Sequence, residues 1–277
     1  MPRMQKNQIY YPRTYRRFQS DYKNQLLFLL ICVLPSLILL LCFYPQLTNL
    51  LSRATQGCLS IVMPAEGLGI QYGEYIPFIG GVYFVSLPSN TPSFSLCMIN
   101  LLVSFGLLWF CFTSKRKGKP LSIYFSIMLL IHVVSCIYFA LASQYFPYTI
   151  TQYSELYIKQ QVGIWLSFVV IAGFVTGFMN NGTLLARCLT FFGIMGYSLV
   201  FGSVRYLALL YLLSAASSLY MPVVFFALGP FFDFLYLVFF YGLFVEHVIR
   251  RVNTGERRAV WKWFSRFSRY FLYALCC

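Results

Sequence analysis

Few side chains in this sequence are able to do chemistry, and Cys97 stands first among them. It sits in Ser95-Leu96-Cys97-Met98, just after the Pro88-Ser89-Asn90-Thr91-Pro92 breaker and at the mouth of a hydrophobic run. A thiol at the water-facing end of a helix becomes a nucleophile when a base or cation lowers its pKa. In an apolar setting the same residue is a small packing hydrophobe. His132 is second, because an ionisable group inside an apolar segment marks a functional position by default. It falls about ten residues below the outer end of its segment, roughly 15 Å deep at the helical rise. Direct contact with Cys97 would need a tilted or broken helix, so a neutral histidine bonded to a neighbouring helix is the simpler reading. Glu155 and Lys159, with Tyr153 and Tyr157, form a third cluster, with the i,i+4 spacing of a solvated helical ion pair. Arg205 and Asp233 are the only charges between Cys188 and Val245, and each is the natural partner of the other across a bundle. Glu246-His247 has no second ligand at metal spacing. HExxH, P-loop, GxGxxG and CxxC patterns are all missing, and no cofactor is expected.

The elements that must hold these residues are read from composition. The chain has 277 residues, 59% hydrophobic, 20% aromatic and 10% charged, a charge content far below the usual quarter in soluble domains. Lipid is therefore its expected solvent. The net charge of +14 is clustered. Arg3, Lys6, Arg13, Arg16, Arg17 and Lys23 precede the first apolar run, and Arg250, Arg251, Arg257, Arg258, Lys262, Arg266 and Arg269 follow the last. Positive flanks mark the cytoplasmic side, so both termini are expected inside, against anionic headgroups, with no nucleic-acid role. Of the nine cysteines, Cys32, Cys42, Cys111, Cys136 and Cys188 lie in or beside apolar runs, and Cys58 with Cys97 is the one pair expected on the oxidising side. Cys276-Cys277 is a candidate for S-acylation.

In chain order, residues 1–25 read as a basic cytoplasmic segment. Leu26 to Tyr44 is long enough to cross a hydrocarbon layer of roughly 30 Å, and is read as a retained anchor. Residues 45–94 form an outer subdomain in which Ile76 to Val85, β-rich and broken by Gly80-Gly81, predicts a short hairpin. Leu96 to Thr113 returns to the basic Lys115-Arg116-Lys117-Gly118-Lys119 loop, Leu121 to Ala142 goes out, and 143–160 is an aromatic outer loop. Gln161 to Met179 returns, and Cys188 to Leu213 and Pro222 to Val245 complete six spans, with eight allowed by the breaks at Gly202, Pro222 and Gly229-Pro230. The whole of 26–247 is thus an all-α integral membrane bundle with a small extracytoplasmic β-hairpin. Residues 248–277, alternating aromatic and basic, predict an interfacial amphipathic helix.

The order of features in residues 60–175 resembles the exosortase/archaeosortase family of multi-pass cysteine transpeptidases. Gly73 to Val85 stands where that family has a hairpin, Cys97 at its nucleophile, and Lys115 to Lys119 at its inside loop. The family's Cys-Ser-Gly signature is missing, no Arg occurs between Arg116 and Arg187, and His132 stands about where an Arg is expected. The resemblance implies a bacterial cytoplasmic membrane and, given these departures, a relative that binds rather than cuts. Two functions from different classes follow. One is a non-catalytic scaffold or assembly component that holds a partner membrane protein or an extracytoplasmic peptide segment. The other is a cysteine peptidase or transpeptidase using Cys97. A transporter subunit built on Arg205, Asp233 and His132 ranks third.

Overall fold

The computed structural model describes residues 22–63, 67–77, 79–88, 90–113, 120–178, 184–227 and 229–254. The basic N-terminal segment, the 115–119 loop and most of the aromatic tail lie outside them. The structure is mostly helical with one two-stranded antiparallel sheet. Among the described residues five helices are long and apolar enough to cross a membrane, which makes this a multi-pass membrane protein.

The first helix, α1, is longer than the sequence suggested. It runs as an α-helix over Tyr22–Phe28, a π-helical stretch over Leu29–Val33, and an α-helix over Leu34–Val62. Pro45 lies inside it, yet the helix continues through the region read as a separate outer segment. The inward stripe explains why: Leu40, Tyr44, Thr48, Leu51, Ser52, Thr55 and Leu59 recur at helical spacing and are all buried. Strands β1, Gly69–Ile76, and β2, Gly80–Ser86, follow, so the hairpin starts earlier than Ile76. Then come α2, Phe94–Thr113, and α3, Pro120–Ala142.

Helix α4 spans Ile150–Phe178, which corrects the reading of 143–160 as an outer loop. A short 3-10 turn at Ser143–Tyr145 leads into it, and eleven residues of the presumed loop, 150–160, are helical. Their polar residues face one another or the hairpin, which hid the helical period from a hydropathy reading. Helix α5 is Leu184–Ala215, as expected for the fifth span. The stretch Pro222 to Val245, read as one span, is split in two: α6, Met221–Ala227, and α7, Pro230–Thr254. A Cβ on Gly229 would run into the Phe225 carbonyl oxygen, and Pro230 opens the next helix. Within α7 the apolar part is Leu235–Glu246.

The outward faces suit lipid. Leu102, Trp109, Leu141, Leu189 and Val200 are each about two-thirds or more exposed, an arrangement stable against lipid tails and not against water. Between helices in lipid, close packing replaces the hydrophobic drive. Gly173 and Gly177 on α4 supply it here: a Cβ on Gly173 would overlap the Val33 side chain, and one on Gly177 would touch Phe28 and Leu29. Trp165, Phe168, Phe191, Ile194 and Tyr206 fill the centre between α1, α4 and α5. Helices α2 and α3 pack on each other, with a smaller apolar cluster of Cys97, Cys136, Phe139 and Leu219. Ser218 bonds to the Asn90 carbonyl through both its N–H (3.2 Å) and its hydroxyl (3.1 Å), bringing the α5–α6 turn to the same end of the bundle as the hairpin.

Candidate functional site

The hairpin is set into the end of the bundle by side-chain hydroxyls. β2 pairs with β1 on one edge, with Tyr72 opposite Tyr83 and Ile70 opposite Val85. Among the described residues no strand pairs with its other edge, and three helices take that place. Thr48 Oγ1 accepts from Tyr83 N–H (3.3 Å) and Ser52 Oγ donates to Tyr83 C=O (2.8 Å), both from α1. Tyr206 of α5 accepts from Val85 N–H at 3.0 Å. Thr151 of α4 bonds both backbone groups of Leu87, at 3.2 and 3.0 Å. Tyr44 donates to the Gly80 carbonyl at 2.6 Å. A buried edge must satisfy its amides, and alternating hydroxyls from helices do so here without a third strand. Val82, Phe84, Val85 and Leu87 are buried as a result.

Those bonds also fix the free edge. In an antiparallel ladder, residues facing each other in a non-hydrogen-bonded pair both turn their N–H and C=O outward. Tyr83 and Val85 point away from β1, so Tyr72 and Ile70 point away from β2, and Glu74 follows by alternation. Among the described residues nothing bonds to the outward groups of Ile70, Tyr72 or Glu74. Tyr72 is 54% exposed, with its ring against Tyr83 at 5.1 Å.

Glu155 and Lys159 lie under the same hairpin. They pair at 2.6 Å, about a quarter exposed, as their spacing suggested. The Glu155 carboxylate lies against the backbone of Gly73, where a Cβ would meet Oε1 at 2.7 Å, so the pair helps seat β1. Burial raises the Tyr75 hydroxyl above its ordinary range, with Lys159 pulling the other way. A surface pair of this kind contributes about 0–1 kcal/mol.

Below the hairpin a polar chain continues into the bundle. Tyr206, besides receiving Val85, bonds Ser154 at 2.6 Å and stacks on Tyr157 at 5.2 Å. Tyr157 donates to the Gly202 carbonyl (3.1 Å) and accepts from Arg205 Nε (2.6 Å). Arg205 Nη2 then donates to Gln161 Oε1 (2.9 Å) and to Asp233 Oδ2 (2.8 Å). The structure thus joins Arg205 and Asp233 into a salt bridge, 6% and 1% exposed. Arg205 also sits over the rings of Tyr157 and Phe201, at 5.3 and 5.7 Å. Gly202 has no room for a Cβ because the Gln161 amide stands there, at 2.7 Å. Tyr236, three residues past Asp233, donates to Ser198 at 2.7 Å.

The sequence reading missed Gln161, Tyr206 and the Thr48–Ser52 pair. Tyr157, Gln161 and Trp165 recur at four-residue intervals on α4, a polar-aromatic stripe that only a helix beginning at Ile150 makes visible. Thr48 and Ser52 share the same spacing on α1.

Cys97 is a different matter. It is fully buried, against Cys136, Phe139 and Leu219, where the sequence suggested the water-facing mouth of a helix. Cys58 is exposed, and both thiols are free, so the expected outer pair does not form. His132 lies one turn before Cys136 on α3, stacked on Tyr220 at 5.1 Å. Tyr220 in turn donates to Asn100, one turn after Cys97, at 2.7 Å. The two candidates therefore border one cluster on different levels, with no hydrogen bond between them, and His132 Nδ1 meets no partner among the described residues. No group of three or more metal ligands occurs among the described residues. We expect Cys97, in protein held in a bilayer, to resist a membrane-impermeant maleimide through the alkaline range and to react only after denaturation. Rapid native labelling would contradict its burial and revive the nucleophile.

No family model, curated protein or solved structure matches the chain. The likeness to the exosortase layout rests on the order of features in 60–175 alone.

Proposed function

We propose that this is a non-catalytic integral-membrane component whose outer hairpin receives an extended segment of a partner protein by strand addition along β1. The observation that carries this is the asymmetry of the hairpin. β2 is bonded on both edges, while β1 keeps a row of outward amides and carbonyls at Ile70, Tyr72 and Glu74. An exposed edge is normally blunted or covered, because it is a template for another strand. Glu74 is exposed and makes no ion pair among the described residues, which favours a basic residue beside it in the incoming segment.

In this reading the chain crosses the membrane six times, with α6 and α7 together making the last crossing and both termini in the cytoplasm. The host is a bacterial cytoplasmic membrane, and the hairpin faces outward. The fixed frame of α1, α4 and α5 gives the receiving strand its rigidity, so the partner alone loses conformational freedom on docking.

The test pairs a photocrosslinking residue at Glu74 with Ile70→Pro. Proline is compatible with an edge strand whose N–H faces outward, so the substitution removes one docking donor and leaves the β1–β2 ladder intact. The expected result is a discrete adduct at Glu74 that Ile70→Pro abolishes, together with slower amide exchange at Ile70 and Tyr72 in the complex. An adduct insensitive to Ile70→Pro, or edge amides already protected in the isolated protein, would sink the proposal.

A further inference from the structure

The Arg205–Asp233 pair leaves four polar atoms without partners: Arg205 Nη1, Asp233 Oδ1, Gln161 Nε2 and Trp165 Nε1. Their residues are 6%, 1%, 1% and 1% exposed. Leaving one such group dry costs about 1–3 kcal/mol, so four would forgo a large share of the 5–15 kcal/mol that holds a typical protein folded. The nearby side chains have little left to give. Tyr157 spends its proton on Gly202, and the one proton of Tyr236, which lies between Ser198 and the Asp233 carboxylate, can serve only one of them at a time. The first three atoms belong to one knot, since Gln161 and Asp233 both accept from Arg205 Nη2. Trp165 stands one helical turn beyond Gln161.

The chemistry of the unused set selects its occupant. Three donors and one acceptor are left over, three of them in the knot itself and Trp165 Nε1 one turn along α4, and the charges of the pair already cancel. An anion would add uncompensated negative charge beside Asp233, and a cation would face three N–H groups. Small neutral molecules that both accept and donate suit such a set, and a buried water typically makes about three such bonds.

We propose that the Arg205–Asp233 pair and its unpartnered neighbours are hydrated internally. One water accepts from Arg205 Nη1 and donates to Asp233 Oδ1, and hydration extends along α4 to Gln161 Nε2 and Trp165 Nε1. The polar chain from the hairpin to α7 is then completed by solvent in the middle of an apolar bundle. This holds whether or not β1 receives a partner.

Radiolytic hydroxyl-radical footprinting of the full chain in lipid nanodiscs tests it, because radicals formed from bound water oxidise the side chains beside them. In the unmodified protein Trp165 and Tyr157 should be oxidised several-fold faster than the dry core residue Phe191, after correction for intrinsic reactivity. In the double variant Arg205→Met with Asp233→Leu, which removes the polar atoms and keeps the volume, the Trp165 rate should fall to the core level. A Trp165 as inert as Phe191 in the unmodified protein would overturn the proposal, as would labelling unchanged in the double variant. Labelling suppressed by chloride or nitrate, and unaffected by sulfate at equal ionic strength, would put an anion in the site and overturn it too.

Discussion

Asp233→Leu alone is expected to destabilise the protein by about 3–5 kcal/mol, because it leaves the Arg205 guanidinium charged and uncompensated in the interior. Most of the loss should return when Arg205→Met is added. The argument is one of sign as much as size. Breaking a buried pair strands a charge, whereas replacing both members by apolar groups of similar volume is often neutral or better. Arg205 has further partners in Tyr157, Gln161 and two aromatic rings, so recovery in the double variant should stop short of complete: the Gln161 amide and Tyr157 hydroxyl lose a bond each. Steric-trapping or detergent unfolding of the two single and one double variants gives the cycle. Equal losses in all three, with no recovery, would mean that the site holds the bundle through something other than charge balance.

The second large effect belongs to Gly81. A Cβ there would fall on the carbonyl oxygen of Gly73 and within 2.8 Å of the Tyr72 ring. The ring can move; the backbone of a paired strand cannot. Gly81→Val should therefore cost at least the 1–3 kcal/mol typical of overpacking, and the cost should appear locally. With the ladder displaced, Tyr83, Val85 and Leu87 lose their register against Thr48, Ser52, Tyr206 and Thr151, and their amides should exchange quickly while those of α3 stay protected. Gly57 on α1 supplies the contrast, since a Cβ there meets nothing within 4 Å. Gly57→Ala should stabilise the helix by about 0.5–1 kcal/mol. If Gly81→Val retained slow exchange at Val85, the register given above would be wrong.

The spans were legible where apolar runs were bounded by charge. Leu96 to Thr113 and Leu121 to Ala142 differ from the observed helices by a residue or two at one end. The reading failed where a helix leaves the lipid without ending. Residues 45–62 and 150–160 are polar enough to resemble loops, yet they continue α1 and α4 because their hydroxyls and aromatic rings pack on the hairpin. Hydropathy follows the solvent; these segments follow each other. Of the candidate residues, Arg205 and Asp233 were readable as a pair because two isolated opposite charges in a long apolar stretch have little alternative. Cys97 was misread for a related reason. Sequence places it at the start of a helix, which suggests water, but the α5–α6 turn folds over it through Leu219 and Tyr220, more than a hundred residues away. Nothing local announces that cover.

The π-helical stretch near the start of α1 bears on chain length. Inward residues on an α-helix recur every three or four positions, but Phe28 and Val33 are five apart and both buried. The π turn absorbs the additional residue. Both positions are tied down, Phe28 against Phe191 at 6.2 Å and Val33 into the space that Gly173 leaves open. Removing one residue between them would leave the two seats four apart, the inward spacing of a regular α-helix, so the π turn would close with Phe28 still facing Phe191. The first span is thus phased by count as well as by composition: its π turn holds one residue of slack, whereas a deletion in the regular helix after it would turn the whole N-terminal arm by about 100°.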